Sequence, residues 1–395
     1  MNDVAGQRFA DALAPRLRWL TDQALPLWAG AGVDPQGGFY EKLDQRGAPL
    51  TELTRRARVV ARQTYVFVTA VERGWGDYAG LVAHGIEEIR TRCLLPDGLS
   101  LSTYTPDGAP ARTEFDGYDQ AFILFALASA ARLLPEAREA LIIAGERLLT
   151  AMRARFRHPE RGFEEAVPRR LPLLQNPHMH LFEACLAFDA VPGAGGIWRE
   201  QAGEIVELAR AHLMDRETHA IHEFFDGDWH PVIDDQGGLI EPGHQFEWAW
   251  LLWQWADRTG DARAAGEAER LYRIGTDHGI APGRQVIDAL DAQHRPRAAT
   301  SRLWPQTERL KACLAAAEHL AGSARAAALD AATATLAALD PYFATPVPGL
   351  WYDRLDARGM AISDPAPASS LYHIVCALDY AARFVARGRD AEPIE

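Results

Sequence analysis

The feature that most constrains this chain is an internal repeat with a period near 60 residues. Short Gly-rich, aromatic or β-like segments recur: GGFYEKLD at 37–44, DGLSLSTY at 97–104, RGFEEAV at 161–167, HEFFDGDW at 222–229, RQVIDALD at 284–291 and GLWYDRLD at 349–356. Two copies are close in sequence, FYEKLDQRG at 39–47 and WYDRLDARG at 351–359. Between the segments lie twelve stretches with apolar residues at helical spacing, approximately 6–30, 53–74, 77–94, 115–133, 136–156, 177–190, 196–215, 244–259, 261–279, 301–321, 324–340 and 369–387. The unit is therefore helix, short hairpin-like excursion, helix, six times over. Six helix pairs predict an all-α (α/α)6 barrel, one toroidal domain over residues 1–395, carrying short β-hairpin excursions.

The inner ring is expected from the helices that follow the excursions. These are apolar or aromatic on every side, as buried helices must be; examples are YDQAFILFALASAARL (118–133), FEWAWLLWQWA (246–256) and SLYHIVCALDYAARF (370–384). Outer candidates such as DARAAGEAERLYRIG (261–275) carry charge on one face. An open solenoid of helix pairs would have the same periodicity and serve as a binding scaffold. The polar residues of the inner helices separate the two. Arg62, Tyr118, Asn176 with His180, His244 with Glu247, Trp304 with Glu308, and His373 all fall near the start of an inner helix. Taking His180 as the third point, their spacings are 56, 62, 64, 60 and 69 residues. In a closed ring these groups converge on one axial pocket; in a solenoid they would be strung along a surface.

Composition limits what such a pocket binds. The net charge of −13 argues against nucleic acid, which needs a basic surface. A neutral sugar is compatible with it, and the arginines at 55–58 and 169–170 are candidates for holding a phosphate. The four cysteines, Cys93, Cys185, Cys313 and Cys376, form no CxxC or zinc spacing and are expected as buried free thiols. No apolar run approaches a membrane span and the N-terminal stretch has no signal-peptide core, which fits a reducing cytoplasm and no membrane partner. Neither a P-loop nor a GxGxxG pattern occurs, so no nucleotide cofactor is expected. The pairs HMH (178–180) and HAIH (219–222) invite a metal reading. Residues two apart on a helix face different ways, and His219 and His222 lack an evident third ligand, so no metal is expected either.

The residue types suit aldose isomerisation. The ring must open, and a proton must then leave the carbon beside the carbonyl. Its return to C1 gives a ketose; its return to the other face of C2 gives the epimer. Both outcomes need groups that exchange protons near neutral pH, and unperturbed histidine titrates near 6.5. His244 and His373 are the candidates. Arg62 can bond the oxygen that becomes an enediolate, and Trp304 can stack on a sugar ring. Each residue also has a plainer reading. His373 lies in an apolar run, SSLYHIVCAL, His244 and Asn176 stand at helix starts, Arg62 follows the arginine-rich TRRAR, and Glu247 is placed either to orient His244 or to favour its helix N-terminus. Their common phase in the repeat weighs toward a shared site.

At these residues the sequence resembles the N-acylglucosamine 2-epimerase superfamily, which includes cellobiose 2-epimerases, mannose isomerases and sulfoquinovose isomerases. The motifs are ARQTYVF (61–67), YDQAF (118–122), NPHMHLFEA (176–184), EPGHQFEWAWLL (241–252), RLWPQTE (302–308) and PASSLYH (367–373), spread over nearly the whole chain. The resemblance implies an (α/α)6 barrel and metal-independent proton transfer. It also implies catalytic roles for His244 and His373, and sugar contacts by Arg62, Tyr118, Asn176, His180, Glu247, Trp304 and Glu308. Epimerases of the group tend to carry a Lys/Gly/Pro-rich stretch with an aromatic residue before the last histidine. Here it reads DPAPASSLYH (364–373), closer to the mannose isomerases. The expectation is an isomerase interconverting mannose and fructose, with His244 shuttling the proton between C2 and C1 and His373 opening the ring, or the two exchanged. A 2-epimerase and a mannose-6-phosphate isomerase are the alternatives. The partner is a monosaccharide, and the protein is a monomer or a homodimer.

Overall fold

The computed structural model describes residues 4–232 and 238–390. Twelve principal helices occupy the expected stretches: α1 Val4–Trp19, α2 Ala57–Glu72, α3 Ala79–Glu88, α4 Gly117–Leu133, α5 Arg138–Arg155, α6 Asn176–Asp189, α7 Ile197–Leu208, α8 Pro242–Thr259, α9 Ala262–His278, α10 Leu303–His319, α11 Gly322–Ala338 and α12 Ser369–Asp390. α1, α3 and α7 run on through wider π turns at Leu20–Ala24, Ile89–Cys93 and Ala209–Leu213. The stretches expected to be helical at 53–56, 115–116 and 301–302 contain two-residue strands instead, at Arg55–Arg56, Phe115–Asp116 and Ser301–Arg302.

Even-numbered helices touch one another in a closed cycle, α2 to α4, α6, α8, α10, α12 and back to α2. They are the inner ring of an (α/α)6 barrel. Each packs against the outer helix that follows it, and α12 packs against α1. The first helix thus completes the last pair. Residues of α2, α4 and α10 are buried almost without interruption, including Gln63, Thr64, Gln120 and Gln306, whereas α9 is strongly one-sided. That contrast is what separated inner from outer helices in the sequence.

The excursions are more than hairpins. Each pairs with the segment leading into the preceding inner helix, five through two residues and one through a single bridge: Lys42–Leu43 with Ala366–Pro367, Thr103–Tyr104 with Arg55–Arg56, Ala166–Val167 with Phe115–Asp116, Phe224–Phe225 with Leu173–Leu174, Leu290 with Ile240, and Arg354–Leu355 with Ser301–Arg302. The residue just before five of the six excursion strands bonds the lead-in or first turn of the next inner helix. Glu41 accepts from Arg56 N at 2.6 Å, Ser102 from Asp116 N, Glu223 from Glu241 N, Asp288 from Arg302 N, and Asp353 from Ser370 Oγ at 2.7 Å. A ring of short staples thereby fixes the N-terminal ends of all six inner helices. The hairpin tips share a turn in which Asp44, Asp226, Asp291 and Asp356 each accept two backbone N–H bonds. The third residue after the aspartate has positive φ: Gly47 and Gly359 in two turns, Trp229 (φ 62°) and His294 (φ 58°) in the others. The staples and the aspartate hold these two side chains in a region glycine enters more freely.

All four cysteines are buried free thiols. Among the described residues, no helix is long and apolar enough to cross a membrane.

Candidate active site

A cavity of about 590 Å³ opens at the N-terminal ends of the inner helices. Every inner helix contributes to it: Arg62 from α2, Tyr118 from α4, Asn176 and His180 from α6, His244 and Glu247 from α8, Trp304 from α10, and Ser369, Ser370 and His373 from α12. Eight of the nine residues singled out in the sequence therefore line one space. The ninth, Glu308, is fully buried behind His373 and bonds its Nδ1 at 2.8 Å. The indole of Trp304 sits by both candidate histidines, with ring centroids 4.8 Å from His244 and 5.7 Å from His373.

The two imidazoles have opposite surroundings. His244 Nδ1 lies 2.9 Å from Glu223 Oε2 and 3.6 Å from Glu241 Oε2. Burial alone would push its pKa down, but Glu223 and then Glu241 outweigh burial and hold it up at about 9. It is a cation at neutral pH. The orienting carboxylate is Glu223; of the two readings open for Glu247, orienting His244 or favouring its helix N-terminus, the first falls to Glu223. Glu223 is itself fixed by Gln175 Nε2 at 2.9 Å, whose Oε1 accepts from Trp248 Nε1. His373 is held well below the usual range, by burial first and then by the positive charges of Arg62 and Lys311. It is neutral, with Nδ1 engaged by Glu308 and Nε2 left for the cavity. His180 is likewise lowered, to about 4, by burial, against the pull of Glu183.

Arg62 Nη2 donates to Tyr118 Oη at 2.6 Å, Nη1 donates to Ser369 O, and the guanidinium lies 4.1 Å from the Phe122 ring centroid. Its position is thus fixed before any ligand arrives. Arg62 and Arg56 line the cavity, and Arg56 also pairs with Glu41 of a staple, whereas Arg55 pairs with Asp34 and Arg58 with Asp119 outside it. Arg169 and Arg170 pair with Glu164, Asp116 and Glu165, away from the cavity. Glu247 is fully buried with both carboxylate oxygens unpartnered, and burial followed by the charge of Glu308 raises its pKa well above normal. Burial and Glu308 both favour its protonated form, which has a hydrogen bond to give. Asn176 Oδ1 also lacks a partner.

Of the four histidines that suggested a metal, only His180 lines the cavity. His178 Nε2 accepts from Phe163 N at 3.0 Å, and His219 occupies a turn with φ 62°. Within the cavity, His180, Glu183 and Glu247, and again Glu247, Glu308 and His373, bring three ligand-type atoms within 4.8 Å of one another. His180 Nδ1 and His373 Nδ1 are hydrogen-bonded to Glu183 and Glu308, and the Lys311 ammonium lies 2.6 Å from Glu308. Lys311 thus places a cation beside the second of these groups.

Sequence reasoning passed over Glu223, Glu241, Lys311, Arg302, Asp353 and the rim cation Lys42. A signal existed for some of them. Glu41, Glu165, Glu223, Asp288 and Asp353 occupy one phase of the repeat, the residue before each excursion strand. That recurrence of acids marks the staples, and Glu223 is the one that also reaches a histidine. The Glu223–His244 pair has a measurable signature. A histidine raised on folding contributes stability that is complete below its unfolded pKa, roughly 6.5, and is lost as pH climbs through its folded value, about 9. Glu223→Gln is therefore expected to lower the melting temperature most near pH 6, with the deficit shrinking toward pH 9.5; a deficit constant with pH would contradict the coupling.

A polar axial cavity in an (α/α)6 barrel, edged by paired imidazoles and carboxylates, is the frame of a sugar-processing enzyme. Residues 38–377 match the family model described as N-acylglucosamine 2-epimerase (GlcNAc 2-epimerase), and the chain belongs to this family of sugar epimerases and isomerases. It is 44% identical over 364 residues, 91% of this chain and 94% of the other, to a protein of Rhizobium meliloti (strain 1021) named mannose-6-phosphate isomerase. It is 26% identical over 324 residues, 75% of this chain and 76% of the other, to the D-mannose isomerase of Pseudomonas cannabina pv. alisalensis. The crystal structure of a sugar epimerase from a ruminal bacterium superposes with a TM-score of 0.84 at 19% identity, covering 94% of this chain and 98% of that one.

Proposed function

We propose that the protein is an aldose–ketose isomerase that interconverts D-mannose and D-fructose by histidine-mediated proton transfer through a cis-enediol. The observation that carries this reading is the charge split between His244 and His373. Two titratable groups pushed in opposite directions at one cavity define an acid and a base. Neutral His373 is the group able to take the proton from C2 and return it to C1 on the same face. Protonated His244 gives a proton to the ring oxygen during opening, then exchanges protons with O1 and O2. Of the two assignments left open in the sequence, this is the exchanged one. Arg62, held by Tyr118, meets the charge that grows on the oxygen of the enediolate. Glu247, protonated, donates to a sugar hydroxyl, and Trp304 lies against the ring. The 364–373 wall, with Asp364, Pro365, Pro367, Ser369 and Ser370 lining the cavity, supports the isomerase over the epimerase through its likeness to the mannose isomerases.

The test is incubation with D-mannose and identification of the product. Fructose is expected; glucose alone would replace this reading by a 2-epimerase. A second reading, the 6-phosphate of the same sugar, is favoured by the cavity mouth. Lys42, Arg56, Arg302 and Arg354 line it, and the 44%-identical relative carries that name. Three of these cations already bond Glu41, Glu241 with Asp288, and Asp364, which leaves Lys42 to meet an added phosphate. Lys42→Ala is expected to raise KM for mannose 6-phosphate about tenfold and leave KM for mannose within about twofold, if the phosphate binds there. Because proton transfer is assigned to side chains, dialysis against a chelator is expected to leave kcat unchanged; loss of activity restored by a divalent ion would overturn the mechanism.

A further inference from the structure

Lys311 has no part in lining the cavity, yet it is the most deeply enclosed cation of the barrel. It stands one turn after Glu308 on α10, and neither side chain is exposed at all. Its Nζ is 2.6 Å from Glu308 Oε2, lies 3.8 Å from the Trp250 ring centroid and donates to Cys376 Sγ at 3.8 Å. The other oxygen of Glu308 meets His373 Nδ1 at 2.8 Å. His373, Glu308 and Lys311 therefore form a line from the cavity wall into the packed interior. Taking an ammonium out of water costs several kcal/mol before its partners compensate, and a methionine would fill the same volume without that cost.

We propose that Lys311 is a positioning residue for the reaction: it keeps Glu308 ionised, so that Glu308 takes the Nδ1 hydrogen of His373 and the Nε2 lone pair faces the sugar. The charge environment gives the reason. Glu308 is buried and faces His180 on α6, His244 and Glu247 on α8, and Tyr372, His373 and Cys376 on α12, while Glu183 on α6 faces Lys311 and His373, and Arg62 on α2 faces His373. Burial and its carboxylate neighbours would protonate it, and Lys311 is the cation in contact with it. A protonated Glu308 offers a hydrogen where it should accept one. His373 would then shift to the tautomer that points N–H at C2 and could not act as a base.

The proposal rests on the assignment of His373 as the acid–base group at carbon, and the test separates the two. Three variants are compared with the parent over pH 5.5–9.5: Lys311→Met, Glu308→Gln and the double. Lys311→Met is expected to lower kcat about 10²-fold at pH 7 with KM within about threefold. Its acid limb should move up by a unit or more, activity recovering as Glu308 loses its proton. A purely structural lysine would lower activity without moving that limb, and an unmoved limb overturns the proposal. Should Lys311→Met not fold, the double variant replaces both partners of the buried pair, a change proteins tolerate better than loss of one. It should turn over within about threefold of Glu308→Gln; a further loss of tenfold or more also overturns the proposal. Turnover retained by His373→Asn would instead bring down the functional assignment.

Discussion

His373→Asn is expected to lower turnover by about 10³-fold or more, with KM for the sugar changed less than about threefold. Positioned acid–base groups typically contribute 10²–10⁴-fold, and His373 is placed at the upper end because the proton it moves is bound to carbon. It sits 94% buried, with one nitrogen fixed by Glu308 and the ring 4.7 Å from that of Tyr372, so its orientation is set before substrate binds. Asparagine leaves the Glu308–Lys311 pair intact and has no basic nitrogen. The informative measurement pairs steady-state rates with exchange of the C2 hydrogen in deuterium oxide. Both should fall together. A variant that still exchanges C2 hydrogen at the parental rate would mean that another group, with Glu247 and His180 nearest in chemistry, is the base.

Removal of α1 and its extension, residues 4–30, is expected to abolish cooperative folding. Phe9, Leu13, Leu20, Leu25 and Trp28 are at most 2% exposed, and α1 packs against both α11 and α12, with Phe9 edge-on to Phe384. Full burial of such side chains stabilises by about 1.5–3 kcal/mol each. Five of them approach the whole stability of a typical domain, about 5–15 kcal/mol. Trp28 also stacks on Trp351 with centroids 4.8 Å apart and donates to Gly349 O. Trp28→Ala grades the same prediction: a loss of about 3–5 kcal/mol should appear as a lower denaturation midpoint at an unchanged slope. A truncated chain that melts as sharply as the parent would show that the ring does not need its first helix.

The barrel was legible in the sequence because two independent patterns agreed. The period of the excursions marked six units, and uninterrupted apolar character in stretches such as 246–256 marked which helix of each pair lay inside. The candidate site was legible through a third pattern, polar residues at one phase of the inner helices. What stayed hidden depended on contacts between distant segments. Nothing local to Glu223 says that it meets His244, because the contact arises where an excursion is stapled to the next helix. Lys311 read as an ordinary helical lysine; only closure of the ring puts three carboxylates around it. Glu247, one turn along the same helix, offered a partner for His244 for the same reason, while Glu223 went unseen. Neighbours along a helix are visible in a sequence, and neighbours across a ring are not. The start of α2 was misplaced because Arg55 and Arg56 pair in a strand that their own segment does not advertise.

The staples have a last consequence. They hold six helix ends at equivalent stations around a cavity, and each station presents a chemically different group. A change at one station alters what faces one part of the sugar and leaves the other five where they were. Such a frame is addressable. Libraries built one station at a time, at Asn176, Trp304 or Ser369 for example, should retune substrate preference in nearly independent steps, whereas changes to Glu41, Glu223, Asp288 or Asp353 should disturb several stations at once.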